Sequence, residues 1–267
     1  MSSYNALQLT LRRVTNNGLA LNFSYSYSNS IDMGSDTERS SEFTNNSFSF
    51  ITNSFNPSLN RAVSDFDTRH LLTGDFIDQL PFGRGKRFAS NSNRLVDALI
   101  GGWTLSGITR LSSGLPFSVN APYSYATNYQ QTSLAVVTGP IKIHRHINAQ
   151  GLPEVFADPD SLNNGIASGS PLRYPYPGEN GQRNIFRGDG YFEQDGSLAK
   201  VLKTREGQTL RFAWEVFNVS NTSRFDTSVI SALGGLNNEV TSGLGFGVYS
   251  HQLVQSRKQQ FSLRYDF

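Results

Sequence analysis

The sequence contains no cysteine, and this absence removes several classes of function. Disulfides, thiolate nucleophiles and cysteine-based metal sites are all excluded. No stretch approaches the roughly 18 apolar residues that predict a membrane-spanning helix. The N-terminus also lacks a basic region followed by an apolar run, so it does not resemble a secretory signal peptide.

Charged residues are scarce too, at 16% of the 267-residue chain, against about 25% in an average soluble protein. The net charge of +2 leaves no basic stripe, which argues against nucleic acid as a partner. Ser, Asn, Thr, Gln and 24 Gly take the place of the missing charges. Such a composition favours extended strands and loops over helices.

Alternation of apolar and polar residues predicts about seven β-strands. In the first, Leu7, Leu9 and Leu11 face one side and polar residues face the other. The pair Asn17-Gly18 then predicts a tight hairpin turn. Further strand-like segments lie at 19–28, 68–80, 103–112, 191–203, 209–218 and 257–267.

The connections between these segments alternate between short and long. Short or medium connections lie at 15–18, 81–102 and 204–208, and long polar ones at 30–67, 113–190 and 219–254. Compact soluble domains rarely contain structureless loops beyond about 15 residues, whereas transmembrane β-barrels combine short periplasmic turns with long extracellular loops. We therefore predict an all-β fold, an antiparallel up-and-down transmembrane β-barrel segment of about seven strands in the outer membrane. Residues 1–267 would form one partial barrel domain, with 113–190 as a long extracellular loop within it.

This topology assigns a role to each face of the strands. The apolar face is expected to contact outer-membrane lipid and the polar face to line the lumen. Tyr25 and Tyr27 at the outer rim and Trp103 at the periplasmic rim are predicted to form an aromatic girdle. The predicted lumen-facing polar residues are Gln8, Arg12, Asn22, Thr104, Arg110, Arg211 and Glu215. They could line a substrate route, or only hold neighbouring strands together through hydrogen bonds and ion pairs.

Motifs for catalysis or metal binding carry little weight in this sequence. His144 and His146 could share one face of a strand and bind a metal, but we predict a solvated loop there. The basic residues of GRGK (83–86) are expected near anionic headgroups at the periplasmic rim. Within RGD, Arg187 and Asp189 are interpreted as positioning the end of a loop rather than as an adhesion motif. We expect no enzymatic activity, no cofactor and no metal site.

Five segments occur in a fixed order along the chain. They are SDFDTRHLLTGDFIDQLPFGRGKRF (64–88), LVDALIGGWTLSGITRLSSGLPFSV (95–119), GQRNIFRGDGYFEQDGSLAK (181–200), LRFAWEVFNVSNTSRF (210–225) and RKQQFSLRYDF (257–267). Together they resemble the C-terminal barrel segment of TonB-dependent outer-membrane transporters, and within these the Oar-like group that carries a carboxypeptidase-regulatory-like domain. The resemblance covers most of 64–267.

The resemblance implies a barrel of about twenty-two strands around an N-terminal plug, with energy supplied through an inner-membrane TonB partner. It also implies that the barrel-assembly machinery recognises the final strand, in which Phe261, Leu263, Tyr265 and Phe267 alternate with polar residues. This sequence has about seven strands and shows no plug, no TonB-contacting box and no signal peptide. We therefore expect a C-terminal part of a longer protein, coupled to TonB only through the missing plug and unable to form a closed transporting barrel alone.

Three functions follow from these observations. The first is energy-coupled uptake of a large nutrient, whose identity the sequence does not give. The second is a soluble, secreted β-sandwich that binds carbohydrate through loop tyrosines. The third is a surface adhesin or structural outer-membrane protein whose long loops act without transport.

Overall fold

The computed structural model describes residues 1–15, 18–35, 53, 55–124, 132–163, 170–179, 181–205, 207–227, 236 and 245–267. The strands formed by these residues are β1 (Ser3–Val14), β2 (Leu19–Asp32), β3 (Ala62–Val63), β4 (His70–Gln79), β5 (Trp103–Ser112), β6 (Pro116–Phe117), β7 (Asn120–Ser124), β8 (Thr132–Leu134), β9 (Val136–Val137), β10 (Ile143–Ile147), β11 (Pro153–Phe156), β12 (Leu172–Arg173), β13 (Phe186–Arg187), β14 (Tyr191–Arg205), β15 (Gln208–Phe217) and β16 (Lys258–Asp266). The helices are α1 (Arg94–Ile100), α2 (Pro159–Asn163) and a 3-10 turn at Pro57–Asn60. Neither α-helix of the described ranges is long or apolar enough to cross a membrane.

The seven long strands form one antiparallel sheet in the order β1-β2-β4-β5-β14-β15-β16, and β3 extends the far end of β2. Each long strand pairs with the next long strand along the chain, so the sheet is an up-and-down meander. All seven predicted strands are present. β1 and β16 form the two edges, and no pairing joins them within the described residues.

β14 is the longest strand, although its sequence pattern is weak. Gln194, Gly196 and Lys200 interrupt its apolar face, and this hides the period of two. The strand nevertheless pairs with β5 over residues 191–200 and with β15 over residues 196–205. Backbone hydrogen bonds to two neighbours therefore stabilise an extended segment that side-chain pattern alone does not specify.

The strands are staggered in the way that a barrel wall requires. One row of cross-strand partners runs from Arg13 through Leu21, Phe76, Gly107, Gly196 and Val216 to Gln259. The row begins near the C-terminal end of β1 and ends near the start of β16, and these two strands run in the same direction. The row thus crosses from one end of the sheet to the other, as expected when strands tilt relative to a barrel axis.

Two glycines with positive φ lie in the tight turns at one end of the sheet. Gly18 (φ 93°) precedes β2, and Gly207 (φ 77°) joins β14 to β15. A glycine adopts this left-handed conformation without steric cost. The predicted turn at Asn17-Gly18 therefore has its glycine in the required geometry, while Asn17 lies outside the described residues.

The hydrophobic core lies outside the sheet, in the long connections at its other end. The connections 33–69, 113–190 and 218–257 join strands at this end, and we call their described residues together the cap. Its core members are Phe117, Val119, Ala135, Val155, Phe156, Leu162, Leu172, Phe186, Leu236, Phe246 and Tyr249. The described parts of the predicted loop at 113–190 are therefore folded, and they contain β6 to β13 and α2.

Candidate functional site: the inner face of the sheet and its cap

The cross-strand register divides the sheet into two chemically different faces. One, the outer face, carries the apolar series of every long strand, including Leu9, Phe23, Leu72, Trp214 and Leu263. Leu9 is 55% exposed and Leu263 69% exposed, so these side chains contact no protein core. A row of exposed apolar side chains is stable against lipid but not against water.

The opposite, inner face is polar and concave. A groove of about 640 Å³ lies against it, and its lining combines apolar residues, such as Ile108 and Phe217, with the charged residues Asp75, Arg110, Asp195 and Glu215. A second hollow of about 410 Å³ lies beside Arg12, where the Asn22 side-chain amide donates to the Asp75 carboxylate at 3.4 Å. The concave side of the staggered sheet is thus the side that carries hydrogen-bonding groups.

All seven residues predicted to face a lumen lie on this inner face. The register places them there in the strands β1, β2, β5 and β15: Gln8, Arg12, Asn22, Thr104, Arg110, Arg211 and Glu215. Their lumenal role stays a prediction. Among the ion pairs between described residues, none involves Arg12, Arg110, Arg211 or Glu215.

Three acidic residues of the inner face were missed by the sequence reasoning. Asp75 lies opposite Asn22, Glu193 lies opposite Arg110, and Asp195 lies opposite Ile108. The period of two does place them with the polar series of their strands. The alternation is hard to recognise in the sequence because β4 and β14 also carry apolar inner residues, such as Ile77 in β4.

The predicted girdle residues lie on the outer face at both ends of the sheet. The Tyr25 hydroxyl is 2.8 Å from Nδ1 of His70, and the Tyr27 ring centroid lies 5.1 Å from that of His70. Trp103 begins β5 at the opposite end and donates its indole N–H to the backbone oxygen of Leu99 at 2.9 Å. The girdle role itself remains a prediction.

The final strand continues the outer face to the edge of the sheet. Phe261 stacks on Trp214 with ring centroids 6.1 Å apart, and Tyr265 stacks on Phe267 at 6.1 Å. Leu263 lies opposite Phe212. The four predicted assembly-signal residues therefore form an exposed apolar row, and recognition by the assembly machinery stays a prediction.

Two arginines join the long connections of the cap to each other. Arg183 is 4% exposed and forms ion pairs with Asp32, at the end of β2, and with Asp65 at 3.7 Å. Arg187 pairs with the buried Asp67 and donates to the backbone oxygen of Gly114 at 3.1 Å. The segments RNIFRG (183–188) and SDFD (64–67) are thus structural partners.

Asp189 of the RGD sequence is also held inside the cap. Its carboxylate accepts hydrogen bonds from Arg145 at 2.8 Å, from Arg224 at 3.1 Å and from the backbone N–H of Phe225 at 3.1 Å. Only 8% of its side chain is exposed. An adhesion motif must be accessible, so this geometry supports the interpretation of Arg187 and Asp189 as positioning groups.

Tyr249 is a buried member of the cap core, and its ring stacks on that of Phe225 with centroids 5.6 Å apart. Its hydroxyl accepts a hydrogen bond from the backbone N–H of Asp189 at 2.9 Å. Burial raises the pKa of Tyr249 to about 12, and the nearby Asp189 carboxylate acts in the same direction. The phenol therefore stays neutral throughout the physiological pH range.

The histidines of the longest connection lie in a short strand, not in the solvated loop that we predicted. Both belong to β10, which pairs irregularly with β11. His146 lies 3.3 Å from Glu154, and His144 is exposed. No group of three or more potential metal ligands occurs among the described residues.

These features define a class of protein. A staggered antiparallel meander with an apolar exposed outer face, a polar concave inner face and long connections at one end is the wall of an outer-membrane β-barrel. The sequence matches the family described as "Outer membrane beta barrel domain" over residues 1–260, and the chain belongs to that family. This confirms the predicted fold class and the outer-membrane location. Searches of curated proteins and of solved structures gave no significant match.

Proposed function

We propose that this chain is the C-terminal part of a TonB-dependent outer-membrane receptor of the Oar-like kind, which takes up a large nutrient. The observation that carries the proposal is the polar inner face with its groove of about 640 Å³, situated below a folded cap. A route for a large solute needs a wide polar lumen and a structured entrance. The ordered motifs of the sequence supply the link to this receptor class.

Some charges of the inner face support a role in binding. Arg12, Arg211 and Glu215 form no ion pair with another described residue. Arg110, in contrast, hydrogen-bonds to Tyr191 of β14, and Asp75 accepts a hydrogen bond from Asn22 of β2. Charged groups in a lumen remain hydrated, so they are free to contact a plug or a passing solute. We propose transport and not catalysis as the use of this surface.

The open edges of the sheet support the view that these strands are one section of a larger wall. In lipid each unpaired backbone group costs several kcal/mol, so both edges require partners. β1 and β16 run in the same direction, and an antiparallel closure therefore needs an odd number of additional strands. Coupling to TonB would then come through a plug contributed by the rest of the receptor.

The alternative functions are supported less well. A soluble carbohydrate-binding β-sandwich does not fit membership of an outer-membrane barrel family or the exposed outer face. An adhesin acting through RGD does not fit the internal position of Asp189. An adhesive or structural role of the cap surface remains as the second candidate.

Deletion of the gene in its native host separates uptake from adhesion. We expect slower growth when a large nutrient, such as a glycan, peptide or metal chelate, is the limiting source. Loss of TonB in the same host should give the same defect, and the double deletion should be no worse. Normal growth on every nutrient, together with reduced attachment to surfaces, would favour the adhesin and reject transport.

Inner-face variants refine this test. Arg12→Ala combined with Glu215→Ala should reduce uptake while the outer-membrane level of the protein stays unchanged. Lys142→Ala, an exposed residue of the cap, is the matched control and should leave uptake intact. Equal uptake by both variants would show that the inner face does not contact the solute.

A further inference from the structure

The connection between β4 and β5 forms an ordered unit at the end of the sheet opposite the cap. We call residues 81–102 the foot. Phe82 and Phe88 pack with ring centroids 5.5 Å apart, and backbone hydrogen bonds join Phe88 to Pro81 and Gly83 to Phe88, both at 2.9 Å. Asn93 caps α1 by accepting from the Val96 N–H at 2.8 Å. The foot is therefore a folded element, not an irregular loop.

The foot is attached firmly to the outer face of the sheet. Lys200, an outer-face residue of β14, donates to the backbone oxygens of Gly101 at 2.6 Å and Leu99 at 3.1 Å. The ammonium group of Lys200 lies 4.8 Å from the centre of the Trp103 ring. These contacts hold the C-terminal end of α1 at the base of the lipid-facing surface.

The helix of the foot exposes apolar side chains that no described residue covers. Leu95 is 79% exposed and Leu99 73% exposed, and their spacing of four residues puts them on one side of α1. Phe82 and Phe88 are also more than 40% exposed. Exposure of this apolar surface to water is unfavourable. The surface also adjoins the apolar outer face of the sheet at Trp103.

The charge of the foot is strongly positive. Its basic residues are Arg84, Lys86, Arg87 and Arg94, and its single acidic residue is Asp97. Asp97 accepts from the backbone N–H of Arg84 at 2.5 Å, which fixes the basic turn against α1. None of the four basic side chains forms an ion pair with another described residue.

We infer that the foot lies in the headgroup region of the periplasmic leaflet and binds anionic phospholipid. Leu95 and Leu99 enter the boundary of the acyl chains, and Arg84 and Lys86 contact phosphate groups. The combination of exposed leucines, adjacent basic residues and continuity with a lipid-facing sheet is that of an interfacial amphipathic element. This inference depends on the membrane location of the chain and not on the nutrient-uptake proposal.

Energy transfer from Trp103 to labelled lipid tests the headgroup preference. The chain has two tryptophans, so a Trp214→Phe background leaves Trp103 as the sole donor. In nanodiscs, transfer to dansyl-phosphatidylglycerol should exceed transfer to dansyl-phosphatidylcholine. Arg84→Gln combined with Lys86→Gln should lower this preference several-fold, since each basic residue near an anionic surface contributes about fivefold.

The control removes the same charge at the other end of the molecule. Arg61→Gln combined with Lys142→Gln, both exposed cap residues, should leave the lipid preference of Trp103 unchanged. Equal transfer to the two lipids in the parent chain would overturn the inference. An undiminished preference in the Arg84, Lys86 variant would overturn it as well.

The depth at which α1 enters the membrane is tested by site-specific labelling. The chain has no native cysteine that would also react with the label. A bimane label on Leu95→Cys should show blue-shifted emission and be quenched by lipid that carries a nitroxide near its headgroup. The same label on Leu59→Cys, an exposed position of the cap, should emit as in water. Water-like emission at both positions would reject membrane insertion and indicate a protein partner for α1.

Discussion

At the scale of single residues, the polar groups of the cap determine how its segments fit together. Arg183 and Arg187 lie four positions apart and contact different acidic residues of one short segment, Asp65 and Asp67. Asn184 between them adopts the left-handed conformation (φ 55°) and donates to the backbone oxygen of Val63 at 2.8 Å. A buried charge is tolerated only when it is paired, so each partner depends on the other.

Replacing Arg183 by alanine should destabilise the cap. The change leaves Asp32 and Asp65 without their cation, and removal of one partner of a buried pair costs about 3 kcal/mol or more. Thermal unfolding and limited proteolysis of the cap measure the loss. Arg183→Lys keeps the charge but not the planar fork, and should lie between alanine and the parent. Alanine and parent proteins of equal stability would contradict the proposed lock.

Tyr249 should make the stability of the cap depend on pH in the alkaline range. In the unfolded chain the phenol ionises near pH 10, whereas in the folded chain its pKa is about 12. Because the folded pKa is raised, the stabilisation is complete below pH 10 and is lost as pH rises towards 12. Relative to Tyr249→Phe, the parent should lose about 2 to 3 kcal/mol across this range. Parallel pH profiles of the two proteins would contradict the prediction.

At the scale of elements, the strands combine weak side-chain signals with strong backbone pairing. β1 and β2 show a clear period of two, and their bounds extend the predicted segments by several residues. β14 has an unclear pattern but pairs on both sides. Glycines on the outer face mark places where aromatic rings of the neighbouring strand cover the backbone: Phe23 covers Gly74, and Phe76 covers Gly107.

Adding a methyl group at Gly74 should disturb this packing. A Cβ atom there would lie 2.1 Å from the Phe23 ring, so the ring must move. We expect Gly74→Ala to cost about 1 kcal/mol or more in detergent unfolding, and Phe23→Ala should remove most of that difference. Gly196→Ala is the matched control, because its nearest neighbour would be Val219 at 3.4 Å. Equal costs at both glycines would refute the packing argument.

Removing Phe267 should impair assembly of the protein into the outer membrane. We propose that the terminal aromatic row of β16 is recognised by the barrel-assembly machinery. The outer-membrane level of the protein after deletion of Phe267 measures this directly. Phe267→Tyr preserves the aromatic ring and should assemble normally. Unchanged levels after the deletion would count against such recognition.

At the scale of the whole molecule, the sheet and the cap differ in how their apolar side chains are covered. Among the described residues, none packs a hydrophobic core against the outer face of the sheet, and the hydrophobic core lies in the cap. We propose that lipid covers the apolar outer face of the strands and that water surrounds the cap, where it drives apolar residues inward. On this proposal, different solvents stabilise the two parts.

This division predicts opposite outcomes for a charge on neighbouring residues of β1. Leu9 belongs to the outer face and Thr10 to the inner face. Leu9→Arg should cost about 2 to 4 kcal/mol near the middle of the bilayer, whereas Thr10→Arg places the same charge in the polar lumen and should be tolerated. Folding yields in phospholipid vesicles compare the two. Similar losses would show that the outer face does not contact lipid.

The sequence by itself determined the two faces, the alternation of short and long connections, and the strands with a clear period of two, such as β1, β2 and β15. These properties depend on local periodicity, which neighbouring residues in the sequence set without any long-range contact. The weakly patterned β14 also needed its pairing with β5 and β15. The sequence did not reveal that 113–190 folds around a core, because pairs such as β6 with β13 join segments about seventy residues apart. It also did not show that SDFD and RNIFRG are partners, or that Lys200 attaches the foot to the outer face. Such contacts exist only once the meander has brought distant connections to the same end of the sheet, so the tertiary structure alone decided them.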